Sequence, residues 1–165
     1  MQREIRQTKP FGSPEQEAVL GLLRTADVVR RYLSGLVEPH GLTAQQYNVL
    51  RILRGAGEAG LPTLDVADRM IERAPGITRL MDRLEGKGLV RRVRCPKDRR
   101  QVLAYIAPRG LALLSRLDPE LTAADAAALP GLTRGRVKDL IRLLDAVRAG
   151  HAGAQSSEPQ SRRKP

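Results

Sequence analysis

Two small groups of residues in this 165-residue chain have types and spacing suited to chemistry, and both suit a polyanion better than a substrate. The first is Pro75, Gly76, Thr78, Arg79 and Arg83. Gly76 permits close approach of another surface, and Thr78 and Arg79 can reach the edges of bases, where arginine is the commonest bidentate partner of guanine. For Arg79 a base contact and a phosphate contact both stay open. Arg83 suits a phosphate contact or an intrahelical pair with Asp82 or Glu85. The second group is the run CPKDRR from Cys95 to Arg100. Arg99 and Arg100 at the end of a narrow ribbon would be shaped to enter a minor groove, where negative potential is focused. Asp98 would repel phosphates there, so it either pairs with a nearby arginine and holds the tip or simply forms the turn.

These residues need elements to aim them. Ile77, Leu80, Met81 and Leu84 fall at i, i+3, i+4 and i+7, one apolar stripe of a helix that starts near Ala74 with Pro75 in its first turn. Pro75, Gly76, Thr78, Arg79, Asp82 and Arg83 then face outward. Gly86 and Gly88 end the helix, and Leu89 to Arg94 and Gln101 to Ile106 read as two strands joined by the basic tip. An amphipathic helix followed directly by a basic two-stranded ribbon is the arrangement of a winged helix-turn-helix. Upstream, Ser13 and Pro14 open a helix of about 25 residues carrying Leu22, Ala26, Val29, Leu33 and Leu36. Pro39, His40 and Gly41 stop it. Thr43 to Gln46 is a capping box for a second helix, and Thr63 caps a short third one. Pro108 opens a fifth helix with Leu111, Leu114 and Leu117 inward, Pro119 and Pro130 break up the region after it, and Thr133 caps a last helix. From Gly150 onward the chain lacks apolar residues and reads as a disordered basic tail.

Composition agrees with a mainly α fold bearing a small β-hairpin. The chain is 41% apolar with no Trp, so its core is built from aliphatic side chains. The net charge is +11. Between Arg69 and Arg109 twelve cations face four acids, which places eight of the eleven net charges in a quarter of the chain. That clustering is what a nucleic-acid footprint looks like. Two His and one Cys, with no metal-ligand spacing and no glycine-rich phosphate loop after a strand, argue against an enzyme, a metal or a cofactor. The lone Cys95 excludes an intramolecular disulfide and reads as an incidental surface thiol. No signal peptide or membrane-length apolar run is visible, so a soluble, cytoplasmic protein without a membrane partner is expected.

The segment from Leu42 to Gly110 resembles the MarR family of winged-helix transcription regulators. The residues that carry the likeness are LTAQQYNVL, VADRM, ITRLMDRLEGKGLVRR, and DRRQVLAYI with Gly110. The D-x-R signature of the family's wing falls on Asp98 and Arg100. The resemblance implies an obligate homodimer that binds a palindromic operator in double-stranded DNA, usually as a repressor. It implies a recognition helix from Ala74 to Glu85 carrying Arg73, Pro75, Gly76, Thr78, Arg79 and Arg83. The wing would contribute Arg94, Lys97, Asp98, Arg99 and Arg100, with Arg100 in the minor groove and Asp98 as its structural partner. It also implies a small, often aromatic effector between the dimerisation helices and the DNA-binding lobe, for which Tyr32, His40 and Tyr47 are candidates. The expected organisation is a flexible N-terminus (1–12), a helical dimerisation region (13–40 and 109–148), a winged helix-turn-helix DNA-binding domain (41–108) and a disordered basic tail (149–165). Two positions depart from the family. Arg73 stands where Asp or Ser usually caps the recognition helix, and Ala107 stands where Thr usually precedes the helix after the wing. The alternative is a non-specific architectural protein, which shares the charge but has no need of the D-x-R wing.

Overall fold

The computed structural model describes residues 1–72, 75–95, 98 and 101–156, the last five by their backbone alone. Its chain forms two compact units, 1–128 and 129–165. In the first unit, helix α1 (Pro14–Val37) begins where the Ser13 hydroxyl accepts from the Gln16 amide at 3.2 Å, with Glu15 and Glu17 complementing the positive end of the helix. Val37 at its far end is buried, and a turn through Gly41 at φ 72° redirects the chain.

Helix α2 (Ala44–Ala56) is the centre of the unit. Its N-terminus is the expected capping box: the Gln46 amide donates to the Thr43 hydroxyl and the Thr43 amide donates back to Gln46 Oε1. Val49, Leu50 and Leu53 have no exposed surface. Around them gather Val66 of helix α3 (Thr63–Asp68), Leu80, Met81 and Leu84 of helix α4 (Ile77–Gly86), and Leu113, Leu114, Leu117 and Leu121 of helix α5 (Pro108–Ala127). The sheet has three antiparallel strands in the order β1 (Leu61–Pro62), β3 (Val102–Ile106), β2 (Val90–Arg94). Val90 pairs with Ile106 and Arg94 with Val102, which gives the expected hairpin.

Several local expectations are corrected. Strand β1 has no signal in the sequence: two residues carry no period of their own, and Leu61 and Pro62 are extended because they lie along Ala104 and Leu103. For the same reason Thr63 is the first helical residue of α3 and not its cap; its hydroxyl donates instead to the Val102 carbonyl at 3.5 Å. Helix α4 starts at Ile77 and not near Ala74. Gly76 has φ −167°, outside the helical range, and its carbonyl accepts from the Leu80 amide, so it is the N-cap and Pro75 lies in the preceding turn. A glycine there costs only a few tenths of a kcal/mol relative to Ser or Asp. Helix α5 runs through Pro119 without breaking. Pro119 is exposed, so the carbonyl that loses its donor faces solvent, and burial of Leu117, Leu121 and Ala124 on either side offsets the roughly 3 kcal/mol cost of an interior proline. Leu111 is exposed and Leu113 takes the inward position.

In the second unit, helix α6 (Arg134–Ser156) is capped by the Thr133 hydroxyl, which accepts from the Arg136 amide. It continues past Gly150, where composition predicts disorder, because a helix once nucleated adds residues cheaply. Among the described residues no helix is long and apolar enough to cross a membrane.

One close approach ties the hairpin to α5. The Leu89 carbonyl accepts from the Ala107 amide at 2.9 Å and lies so near Gly110 that a Cβ there would collide with it. Gly110→Ala is therefore expected to lower unfolding free energy by about 1–3 kcal/mol in urea denaturation, because the obstacle is backbone and cannot rotate away.

Candidate nucleic-acid interface

Burial of Leu80, Met81 and Leu84 turns the opposite side of α4 to solvent. Thr78, Arg79, Asp82 and Arg83 are all exposed, and Pro75 and Gly76 are exposed in the turn that leads into the helix. The structure thus brings together on one surface every described residue that sequence assigned to the recognition helix. Arg73 lies outside the described residues.

The hairpin continues this surface. Arg94 is exposed at the end of β2. Beyond it the Cys95 amide donates to the Gln101 carbonyl at 2.9 Å and the Gln101 amide donates to the Asp98 carbonyl at 3.0 Å, so backbone bonds close the ribbon. Asp98 and Cys95 are half-buried. Lys97, Arg99 and Arg100 fall outside the described residues.

Among the described residues, three of the clustered cations serve the protein itself. Lys87, at the C-cap of α4, donates through Nζ to the Gly41 carbonyl and to Gln46 Oε1, which ties the end of α4 to the start of α2. The Arg91 guanidinium lies 4.0 Å from the centre of the Tyr105 ring, its cross-strand partner. Arg92 bonds to α4. Its amide donates to Glu85 Oε1 at 3.0 Å, its Nε to Glu85 Oε2 at 2.9 Å, and one terminal nitrogen to both Glu85 Oε2 and Asp82 Oδ1 at 2.6 Å. Asp82 and Glu85 are thus held by Arg92, and the intrahelical pair considered for Arg83 is not what engages them. The hydrogen bonds from Arg92 hold the Glu85 carboxyl below its ordinary range and raise the guanidinium of Arg92 above its own. Sequence reasoning counted Arg92 only as a basic residue. The signal was present: alternation along β2 puts Arg92 on the same face as buried Val90, toward the acids of α4.

A cavity of about 700 Å³ opens between α1, α2, α5 and the segment after α3. Tyr47 lines it together with Val29, Leu33, Arg51, Arg54 and Asp118. Tyr32 and His40 do not; both are exposed. Arg54 Nη1 bonds Asp118 Oδ2 at 2.7 Å, which lowers the carboxyl's pKa, and the Arg51 guanidinium is 5.8 Å from the Tyr47 ring centre. Burial pushes the Tyr47 hydroxyl up. The wall toward α4 is held by Arg30 and Glu72, 2.6 Å apart, and by the Ile71 amide, which donates to Asn48 Oδ1.

This arrangement has close counterparts among known proteins. The MarR family model matches residues 42–102. The chain is 30% identical over 131 residues to the HTH-type transcriptional repressor Mb2911 of Mycobacterium bovis, covering 78% of this chain and 93% of that one. It is 28% identical over 126 residues to the homoprotocatechuate degradative operon repressor of Escherichia coli, covering 76% and 84%. A solved MarR transcription factor from Planctomyces limnophilus superposes with a TM-score of 0.64 at 40% identity, over 83% of this chain and 99% of that one.

The Arg92–Glu85 contact has a pH signature. A carboxyl whose folded pKa lies below its unfolded value contributes stability above the unfolded value, near 4.3, and loses it as pH falls through the folded one. Glu85→Gln is expected to melt lower than the unaltered protein at about pH 7. The gap should narrow as pH falls below the unfolded carboxylate value, followed as thermal midpoints against pH.

Proposed function

Because the chain belongs to the MarR family of DNA-binding transcription regulators, we propose that it is a homodimeric, sequence-specific regulator of double-stranded DNA that represses transcription until a small aromatic effector binds. The observation that carries this reading is the exposed face of α4, with Thr78, Arg79 and Arg83 beside a basic ribbon. In it, α4 enters a major groove, with Arg79 at base edges or phosphate and Gly76 and Pro75 allowing close approach. Arg94 and the tip residues Lys97, Arg99 and Arg100 approach the backbone and the adjacent minor groove, and Asp98 holds the tip. Arg73 adds a phosphate contact ahead of the helix.

A second copy of the chain accounts for apolar surface that one copy leaves open. Val19, Leu22, Leu23 and Val28 on α1 and Ile141, Leu143 and Val147 on α6 are exposed. In this reading 13–40 and 109–148 form the dimerisation region, 41–108 bind DNA, and two-fold symmetry matches a palindromic operator. The effector would enter the cavity at Tyr47, whose lining of apolar side chains with a few arginines suits an aromatic acid. The Escherichia coli relative, named as repressor of a homoprotocatechuate degradative operon, supports both repression and that ligand class. The cavity gives Tyr32 and His40 no such support.

The test is equilibrium binding to a duplex that the protein itself selects from a random library. Affinity is expected to exceed that for random duplex by several orders of magnitude and to fall steeply with salt, as counterions leave each contacted phosphate. A ratio near one would favour the architectural alternative. Arg79→Ala should cost about 1–3 kcal/mol and relax one base position if it reads a base, or weaken all duplexes alike if it holds phosphate. Replacing Leu23 by Asp should leave the fold intact and shift the protein from dimer to monomer in sedimentation; a full-length chain that is monomeric at the outset would refute the dimer. A thermal-shift screen with aromatic carboxylic acids, repeated on Tyr47→Ala, tests the cavity.

A further inference from the structure

We propose that Arg92 is a positioning residue for sequence discrimination: it touches no DNA, and by joining β2 to α4 it sets the angle between the recognition helix and the wing. The inference rests on the specific-regulator reading above and adds a residue to it. Two elements that enter neighbouring grooves discriminate only if their spacing is held, since a displacement of about 1 Å spoils aligned hydrogen bonds. Helix α4 and strand β2 are linked by a tight turn at Gly88, where the Gly88 and Leu89 amides donate to the Glu85 and Leu84 carbonyls, and beyond it by side chains. Of these, Arg92 makes the densest polar contact: its backbone amide and guanidinium engage both oxygens of Glu85, and the same guanidinium reaches Asp82. Its side chain is 23% exposed, whereas those of Asp82 and Glu85 are 54% and 39% exposed, so the arginine is the shielded member of the cluster. Charge-assisted bonds in a planar fork hold direction as well as distance.

The contact has a second effect on the same surface. Asp82 shares the outward side of α4 with Thr78, Arg79 and Arg83, three or four residues away from the first two, where it could pair with Arg79. Arg92 draws the Asp82 carboxylate toward the ribbon, so that Asp82 is held by Arg92 and does not turn Arg79 away from base edges. An arginine spent this way is absent from the set of phosphate contacts despite lying in the most basic stretch of the chain.

The experiment measures binding of the unaltered full chain, Arg92→Ala, Arg92→Lys and Glu85→Gln to two probes, the library-selected duplex and a random-sequence duplex, over a range of NaCl. The folded fraction of each variant is followed by circular dichroism. For Arg92→Ala and Glu85→Gln the ratio of selected to random affinity is expected to fall about tenfold or more, while affinity for random duplex and the slope of log K against log salt stay unchanged. Arg92→Lys should restore little, because one ammonium cannot form the fork. A slope reduced by about 1.8, for two phosphates per dimer, with equal loss on both duplexes would overturn the proposal and make Arg92 a phosphate contact. A preserved ratio, with any loss tracking the folded fraction, would overturn it in favour of a merely structural role. A ratio near one in the unaltered protein would overturn the specific-regulator reading and this inference together, whereas a high ratio that survives in both Arg92→Ala and Glu85→Gln would overturn the inference alone.

Discussion

Burial of Leu80, Met81 and Leu84 in one core with Val49, Leu50 and Leu53 of α2 governs what this protein can present to a partner. A helix has one rotation about its axis. Once three leucine-sized side chains are committed to the interior, at about 1.5–3 kcal/mol each, Thr78, Arg79, Asp82 and Arg83 have no freedom to face anything but solvent. The cationic surface is a by-product of apolar packing. The same core holds α5, and the Leu89 carbonyl under Gly110 carries that constraint on to the hairpin. Helix, ribbon and α5 are therefore aimed by one set of buried contacts.

Charge within this frame is divided between structure and surface. Net charge treats twelve cations alike, but Lys87 is spent on Gln46 and Gly41, Arg91 on Tyr105 and Arg92 on Glu85 and Asp82, while Arg79, Arg83 and Arg94 are exposed. A basic stretch overstates the contacts it can make with a polyanion, because an exposed sheet and a short helix need cations of their own to stay joined. The cavity shows the same economy. Arg54 is matched by Asp118 and Arg30 of α1 by Glu72, which lies on the segment that leads from α3 into α4.

How much was legible in advance depended on how local the determinant was. The Ser13 cap, the Thr43–Gln46 capping box, the apolar stripe of α4 and the β2–β3 hairpin are encoded within a few residues, and the structure keeps each of them. Local sequence and structure part where a distant element decides. Leu61–Pro62 is a strand only because β3 lies beside it, which also makes Thr63 helical and not a cap. Pro119 stays in a helix because buried leucines flank it on both sides. Tyr47 lines the cavity while Tyr32 and His40 do not, a difference that no spacing along the chain encodes.

The sequence by itself determined the mainly α class with a basic hairpin, the family, and which residues of α4 face outward. These follow from periodicity, capping chemistry and charge order, all of which act over one or two helical turns. Only the tertiary structure decided that α4 begins after Gly76, that a third strand completes the sheet, and that Tyr47, packed against the core, also lines a cavity. It alone paired Arg92 with Glu85 and Asp82. Those outcomes depend on which surfaces meet, and a hydrogen bond acts over about 3 Å of space whatever the separation along the chain.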